Sequence, residues 1–205
     1  MAFEVRDPLV PDVDTVEELI ALKHENSDMS WQWKRLFLGQ RMQHSYYLWH
    51  ELNHQFMNHL HIKSAVEIGT GTGALTVLFG LFGKLANKRI LTIDWEKSLS
   101  KRLHRLFDML SISTIWGDEW DEYNIALIDE FIQKQPTYVF CDGGNKKEEL
   151  RFWSQRIPAG SLISVHDWGT EIFPEDVPEG LTPYRPDFWN IMNILTATWI
   201  IDGES

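Results

Sequence analysis

The stretch Val66-Glu67-Ile68-Gly69-Thr70-Gly71-Thr72-Gly73-Ala74 decides the fold. It leaves an apolar, strand-like segment, passes through an acidic-x-Gly-x-Gly-x-Gly turn, and opens a helical pattern whose buried side is Leu75, Leu78, Phe79 and Phe82. Three glycines at such a junction permit tight or positive-φ backbone and remove side chains that would block a ligand lying along the chain. The N–H groups at the helix start favour an anionic group nearby.

Outward from this turn, short apolar runs alternate with helical patterns. Strands are predicted at Ala65–Ile68, Ile90–Ile93, Ser113–Trp116, Tyr138–Cys141 and Leu162–Val165, with helices near 74–86, 97–110, 119–134 and 145–156. Strands separated by helices imply βαβ units, a parallel sheet and right-handed crossovers that cover both faces. The expected fold is therefore α/β, a doubly wound, mostly parallel Rossmann-like sheet. Residues 1–62 read as an N-terminal helical cap, with helices near 14–23 and 43–60, the second carrying Trp49, Leu52, Phe56 and Leu60 on one side. Residues 63–205 form the main domain, and the two read as one compact unit. An acidic, proline-bearing loop over 169–186 reads either as a lid or as an irregular surface connection, and a helix DFWNIMNIL and a strand TATWIID close the chain.

Asp94 ends the next strand, about twenty residues after the glycines, where an acid can accept hydrogen bonds from both ribose hydroxyls of a nucleotide; capping the following helix is its other reading. Asp142 and Asp167 are expected to emerge beyond the carboxyl ends of two further strands, the edge where open α/β sheets bind ligands, with His166 adjacent. Two carboxylates and waters suit magnesium; an imidazole broadens the choice to manganese, iron or zinc.

VEIGTGTG, LTID, IWGD and FCDGG occur in an order and spacing that resembles class I S-adenosylmethionine-dependent methyltransferases, over about residues 64 to 167. The resemblance implies that Glu67, Gly69, Thr70, Gly71 and Gly73 border the methionine part of S-adenosylmethionine, and that Asp94 binds its ribose. Trp95 would pack on the adenine, its alternative being a core aromatic, and Asp118 would hydrogen-bond the adenine amino group. The acids Asp142 and Asp167 with His166 look like the metal site of metal-dependent O-methyltransferases of the catechol and cephalosporin-hydroxylase-related types. His166 departs from that pattern, where an acid is usual. If no metal binds, Asp142 orients the cofactor and Asp167 caps a loop. Lys146 is the candidate base, or else an exposed lysine at a helix start. The implied activity is methyl transfer to an oxygen of a small molecule, assisted by Mg2+ or another divalent metal. Such catalysis rests on holding the nucleophile in line and lowering its pKa.

Two other readings compete. An NAD(P)-dependent oxidoreductase would use Gly69, Gly71 and Asp94 in nearly the same way, but leaves Asp142-Gly143-Gly144 without a role. A zinc hydrolase would use His50, Glu51 and His54, which satisfy H-E-x-x-H on a predicted helix; no third ligand follows at a familiar spacing. Of ten tryptophans, Trp31, Trp33, Trp49, Trp168 and Trp189 lie outside the core strands and could wall an acceptor pocket or simply pack.

The 205 residues carry a net charge of −11, which opposes binding to nucleic acid or anionic membranes. The lone cysteine, Cys141, cannot form an intrachain disulfide. The first residues lack the plan of a secretory signal, and the apolar stretch 73–86 is too short to span a bilayer. A cytoplasmic protein, free or as a homo-oligomer, with a small-molecule acceptor is the expectation.

Overall fold

The computed structural model describes residues 35–37, 40–42, 44, 46–95, 99–192 and 195–203. The helix expected near 14–23, with Trp31 and Trp33, lies outside the described residues. The chain enters through an antiparallel hairpin, β1 (Arg35–Phe37) and β2 (Gln40–Met42), followed by α1 (Tyr46–Asn58). The hairpin departs from the helical reading of this region, because three-residue strands are too short to leave an alternation in the sequence.

Then come β3 (Ser64–Ile68), α2 (Ala74–Ala86), β4 (Arg89–Asp94), α3 (Lys101–Leu110), β5 (Ile112–Trp116), α4 (Glu122–Ile132), β6 (Thr137–Cys141), α5 (Lys146–Ser154) and β7 (Leu162–His166). These alternate as the sequence predicts. The chain closes with β8 (Leu181–Pro183), α6 (Pro186–Met192) and β9 (Thr196–Ile201). The sheet order is β5-β4-β3-β6-β7-β9-β8, parallel from β5 through β7, with β9 antiparallel to both β7 and β8. This is the doubly wound α/β architecture. Successive crossovers leave β3 in opposite directions, so β3 and β6 flank the switch point where such sheets take ligands.

Central strands β3, β6 and β7 are buried at every position, which is why they read as continuous apolar runs. Helix α2 is buried from Ala74 to Gly83. A Cβ on Gly80 would lie 2.5 Å from Ile112 Cδ1, so the missing side chain lets this helix press onto the sheet. Polar caps set the other helix starts: Ser100 accepts from the Leu103 N–H, Asp121 from Tyr123 and Asn145 from Glu148.

Helix α1 docks through Leu48, Trp49, Leu52 and Phe56, all buried. It stops at Asn58, so Leu60 falls in the following turn and is 67% exposed instead of continuing the apolar face. Phe56 meets Phe79 edge-on at 5.6 Å and Tyr138 at 5.8 Å, joining α1 to α2 and the sheet. Segment 169–186 is built into the fold and is no free lid. Its β8 residues pair with β9, and Ile172 is buried. Trp168, Trp189 and Trp199 pack edge-to-face at 5.4–5.6 Å. Among the described residues no helix is long and apolar enough to cross a membrane.

Truncating Phe56 removes a ring from a junction of three elements, and Phe→Ala changes in cores cost about 3–5 kcal/mol. Phe56→Ala is expected to lower unfolding free energy by that amount in urea titration. A loss under about 1 kcal/mol would show that α1 is not integrated with the core.

Candidate active site

A cavity of about 490 Å³ opens beyond the carboxyl ends of β3, β4 and β6. One side is the glycine turn. Gly69 has φ +92°, and a Cβ there would lie 2.4 Å from the Asp142 carbonyl oxygen, so only glycine lets the tips of β3 and β6 approach. Gly71 has φ +51° and nothing within 4 Å of its Cβ position, leaving its surface open to a ligand. Its N–H donates to Asp94 Oδ2 at 2.6 Å, which ties the turn to the end of β4.

Glu67, on β3, is buried beneath the turn. Its Oε2 accepts the hydroxyls of Thr76 at 2.5 Å and Thr92 at 2.7 Å, and Thr92 also meets Thr70 at 2.6 Å. Its Oε1 has no hydrogen-bond partner among the described residues. Burial pushes the carboxyl up to about 8, against the two hydroxyl donors.

At the adenosine end that the sequence suggests, Trp95 lines the cavity and is 62% exposed, which removes its reading as a core aromatic. Asp118 turns its Oδ1 to the Trp120 N–H, and the cavity wall here is Glu119 instead. Glu119 hydrogen-bonds Glu149, whose oxygens accept the N–H groups of Gly143 and Asn145. Burial, then the neighbouring Glu119, raises Glu149 to about 8.

At the other end the chain brings together Asp142, Lys146, His166 and Asp167, as expected, and adds His44. Asp142 Oδ2 lies 3.0 Å from His44 Nε2, and Oδ1 lies 3.3 Å from His166 Nδ1. His166 Nδ1 is also 3.2 Å from Asp167 Oδ1. Lys146 Nζ donates to Asp167 Oδ2 at 3.0 Å and to Glu171 at 3.3 Å, and lies 3.8 Å from Asp142 Oδ1. Asp167 has φ +61°, a left-handed conformation that aspartate tolerates. Its carbonyl closes a turn through the N–H groups of Thr170 and Glu171, returning Glu171 to the lysine.

Burial opposes charge on His166, but the two aspartates outweigh it and raise its pKa to about 9. Burial raises the Asp142 pKa, yet hydrogen bonds from His166 and His44 hold it well below the usual carboxylate range. Burial and the neighbouring His166 lower His44. Burial lowers Lys146, and its bond to Asp167 with the field of Asp142 more than restores it. Lys146 is therefore an ammonium in this arrangement. Two carboxylates stabilise its proton, Asp167 through a hydrogen bond and Asp142 through its field.

Glu51 and His54 of the H-E-x-x-H motif serve packing. Glu51, buried, accepts Arg185 at 2.7 Å and Gln55 at 3.2 Å, while His54 Nδ1 meets the Tyr184 hydroxyl at 3.2 Å. The His50 side chain lies outside the described residues. Trp49, Trp168 and Trp189 are packed and do not line the cavity.

His44, Glu119 and Glu149 escaped the sequence reading. A charged residue followed by a buried carboxyl partner leaves no periodic signal, and His44 meets Asp142 across 98 positions of sequence.

No family model matches the sequence. The fold is similar to solved structures at low identity. One is cmcI bound to SAH, with a TM-score of 0.59 and 15% identity over 80% of this chain and 81% of that one. Another is cofactor-bound Rv0187 from MTB, with a TM-score of 0.55 and 14% identity over 96% and 94%. These likenesses establish the Rossmann-like fold.

Glu67 and Glu149 hold their protons more tightly folded than unfolded, where carboxyls titrate near ~4.3. Their contribution is complete below that value and is lost as pH rises toward about 8. The melting temperature is expected to fall between pH 5 and 8, and Glu149→Gln, which cannot ionise, should make that fall shallower. Equal slopes in the two proteins would remove Glu149 from the account.

Proposed function

We propose that the protein is an S-adenosylmethionine-dependent methyltransferase acting on an oxygen of a small-molecule acceptor. The observation that carries this reading is one continuous cavity at the switch point. It has the glycine turn and Asp94 on one side, Trp95 and Glu119 at one end, and Asp142 with Lys146 at the other. The neighbouring fold of cmcI, solved with SAH, supports it. An oxidoreductase reading leaves the aspartate–histidine–lysine cluster without a task.

In methyl transfer the carbon–sulfur bond of the donor breaks as the acceptor oxygen bonds the methyl carbon, the sulfur keeps the bonding pair as S-adenosylhomocysteine leaves, and the acceptor hydroxyl gives its proton to solvent water. The chain's part is placement and electrostatics. The glycine turn admits the donor along the backbone, and Asp94 accepts from its ribose. Glu67 sits beneath, ready to ionise beside a cationic ligand. Asp142 and Lys146 face the acceptor, with Lys146 offering positive charge to an oxygen that becomes anionic. Asp142, His166 and Asp167 would hold a divalent metal, which when bound acidifies a hydroxyl and orients it. The imidazole and carboxylate donors suit such an ion.

On this reading residues 1–62 act as the cap and 63–205 as the donor-binding domain, and His44 carries cap sequence into the site. The buried unpaired Cys141 accords with work in the reducing cytoplasm, and a small acceptor accords with a cavity of this size. Association of copies stands as a proposal.

Calorimetric titration with S-adenosylmethionine, S-adenosylhomocysteine and NADH tests the reading. Both adenosyl compounds are expected to bind, and NADH binding alone would overturn it in favour of the oxidoreductase. Asp94→Ala should weaken donor affinity at least tenfold, about 1.4 kcal/mol; unchanged affinity would remove the ribose assignment. Because a cationic ligand favours ionised Glu67, binding of S-adenosylmethionine near pH 7 should release protons, read as a dependence of the binding heat on buffer ionisation. Proton uptake would place the cation elsewhere.

A further inference from the structure

Two imidazoles and a carboxylate converge at the reaction end of the cavity, from three parts of the chain. His44 precedes α1, Asp142 follows β6, and His166 ends β7. One ligand atom from each lies within 4.8 Å of the other two. The edges from Asp142 are 3.0 Å to His44 Nε2 and 3.3 Å to His166 Nδ1. The two distances end on different oxygens of Asp142, Oδ2 for His44 and Oδ1 for His166, so each imidazole already turns one nitrogen to an arm of the shared carboxylate.

The two rings are 4.4 Å apart between centroids and are 7% and 2% exposed. Their remaining nitrogens, His44 Nδ1 and His166 Nε2, have no hydrogen-bond partner among the described residues. The polar side-chain atoms these rings meet are thus carboxylate oxygens, of Asp142 for His44 and of Asp142 and Asp167 for His166. Asp167 is held differently, by the Lys146 ammonium at 3.0 Å. Its Oδ1 also meets His166 Nδ1, the same nitrogen that faces Asp142, at 3.2 Å.

We propose that His44, Asp142 and His166 form a three-ligand site for a borderline divalent transition ion of the zinc–manganese–iron group, in preference to magnesium. Magnesium demands octahedral oxygen ligands and sheds water reluctantly, whereas imidazole nitrogen suits zinc and its neighbours. Three protein ligands leave coordination positions for an acceptor oxygen or water, and His44 and Asp142 lie in the cavity wall. This rests on and deepens the functional reading by naming the metal class and by making His44 the third ligand in place of Asp167. Metal affinity and donor affinity are measured separately, so either idea can fail alone.

The test is metal binding by chelator-treated full-length protein, without turnover. Zn2+, Mn2+ and Mg2+ are titrated by calorimetry, and Co2+ is followed by its visible absorption. One Zn2+ per chain is expected, bound at least 100-fold tighter than Mg2+, with a Co2+ spectrum showing nitrogen ligation. His44→Ala and His166→Ala should each weaken Zn2+ at least tenfold and alter that spectrum. His44→Gln is the second variant should alanine unfold the chain, as read by circular dichroism. Mg2+ binding as tight as Zn2+, or His44 variants with wild-type zinc affinity and spectrum, would overturn the proposal. So would absence of any stoichiometric site in a protein that still binds S-adenosylmethionine.

Discussion

The carbonyl of Asp142 lies so close to Gly69 that no side chain fits between the tips of β3 and β6. That contact sets the geometry of the whole carboxyl edge. It brings the glycine turn alongside the loop that carries Asp142, and the Asp142 N–H in turn donates to the Ile68 carbonyl. From this seam the cavity runs toward Asp94 and Trp95 on one side and toward the histidines on the other. A larger residue at position 69 would separate the two halves of the site before it touched any ligand.

Charge is divided unevenly across the cavity. Beneath the turn and beside Glu119, burial keeps carboxyls protonated, as with Glu67 and Glu149. At the opposite end the same burial acts on Asp142 but is outweighed, because two imidazoles meet its oxygens. The site therefore holds its fixed negative charge near Lys146 and His166, and a proton reserve near the glycine turn. A cationic donor would meet the reserve, and a hydroxylated acceptor the charged cluster.

The walls of the site are held by contacts far from it. Phe56 locks α1 to α2 and the sheet, and Arg185 with Tyr184 links α1 to the segment before α6 through Glu51 and His54. The tryptophans at 168, 189 and 199 pack the turn after β7 against β9. Glu51 and His54, which looked like part of a hydrolase motif, and Trp168 and Trp189, which looked like pocket walls, are thus part of the packing framework.

By itself the sequence determined the alternating order from β3 to β7, the glycine turn and the acids at strand ends. Each of these is written in local terms: apolar runs of strand length, glycines where backbone must bend, and an acid where a buried strand meets solvent. Tertiary structure alone decided that His44 meets Asp142, that Glu119 and not Asp118 lines the cavity, and that Lys146 meets Asp167. It also paired β8 with the sheet edge, brought Glu171 to Lys146, and ended α1 before Leu60. Those outcomes depend on which distant groups share one small volume, and on the burial they find there. Neither a repeat nor a spacing encodes such meetings, since hydrogen bonds and fields act across space while sequence patterns record only neighbours along the chain.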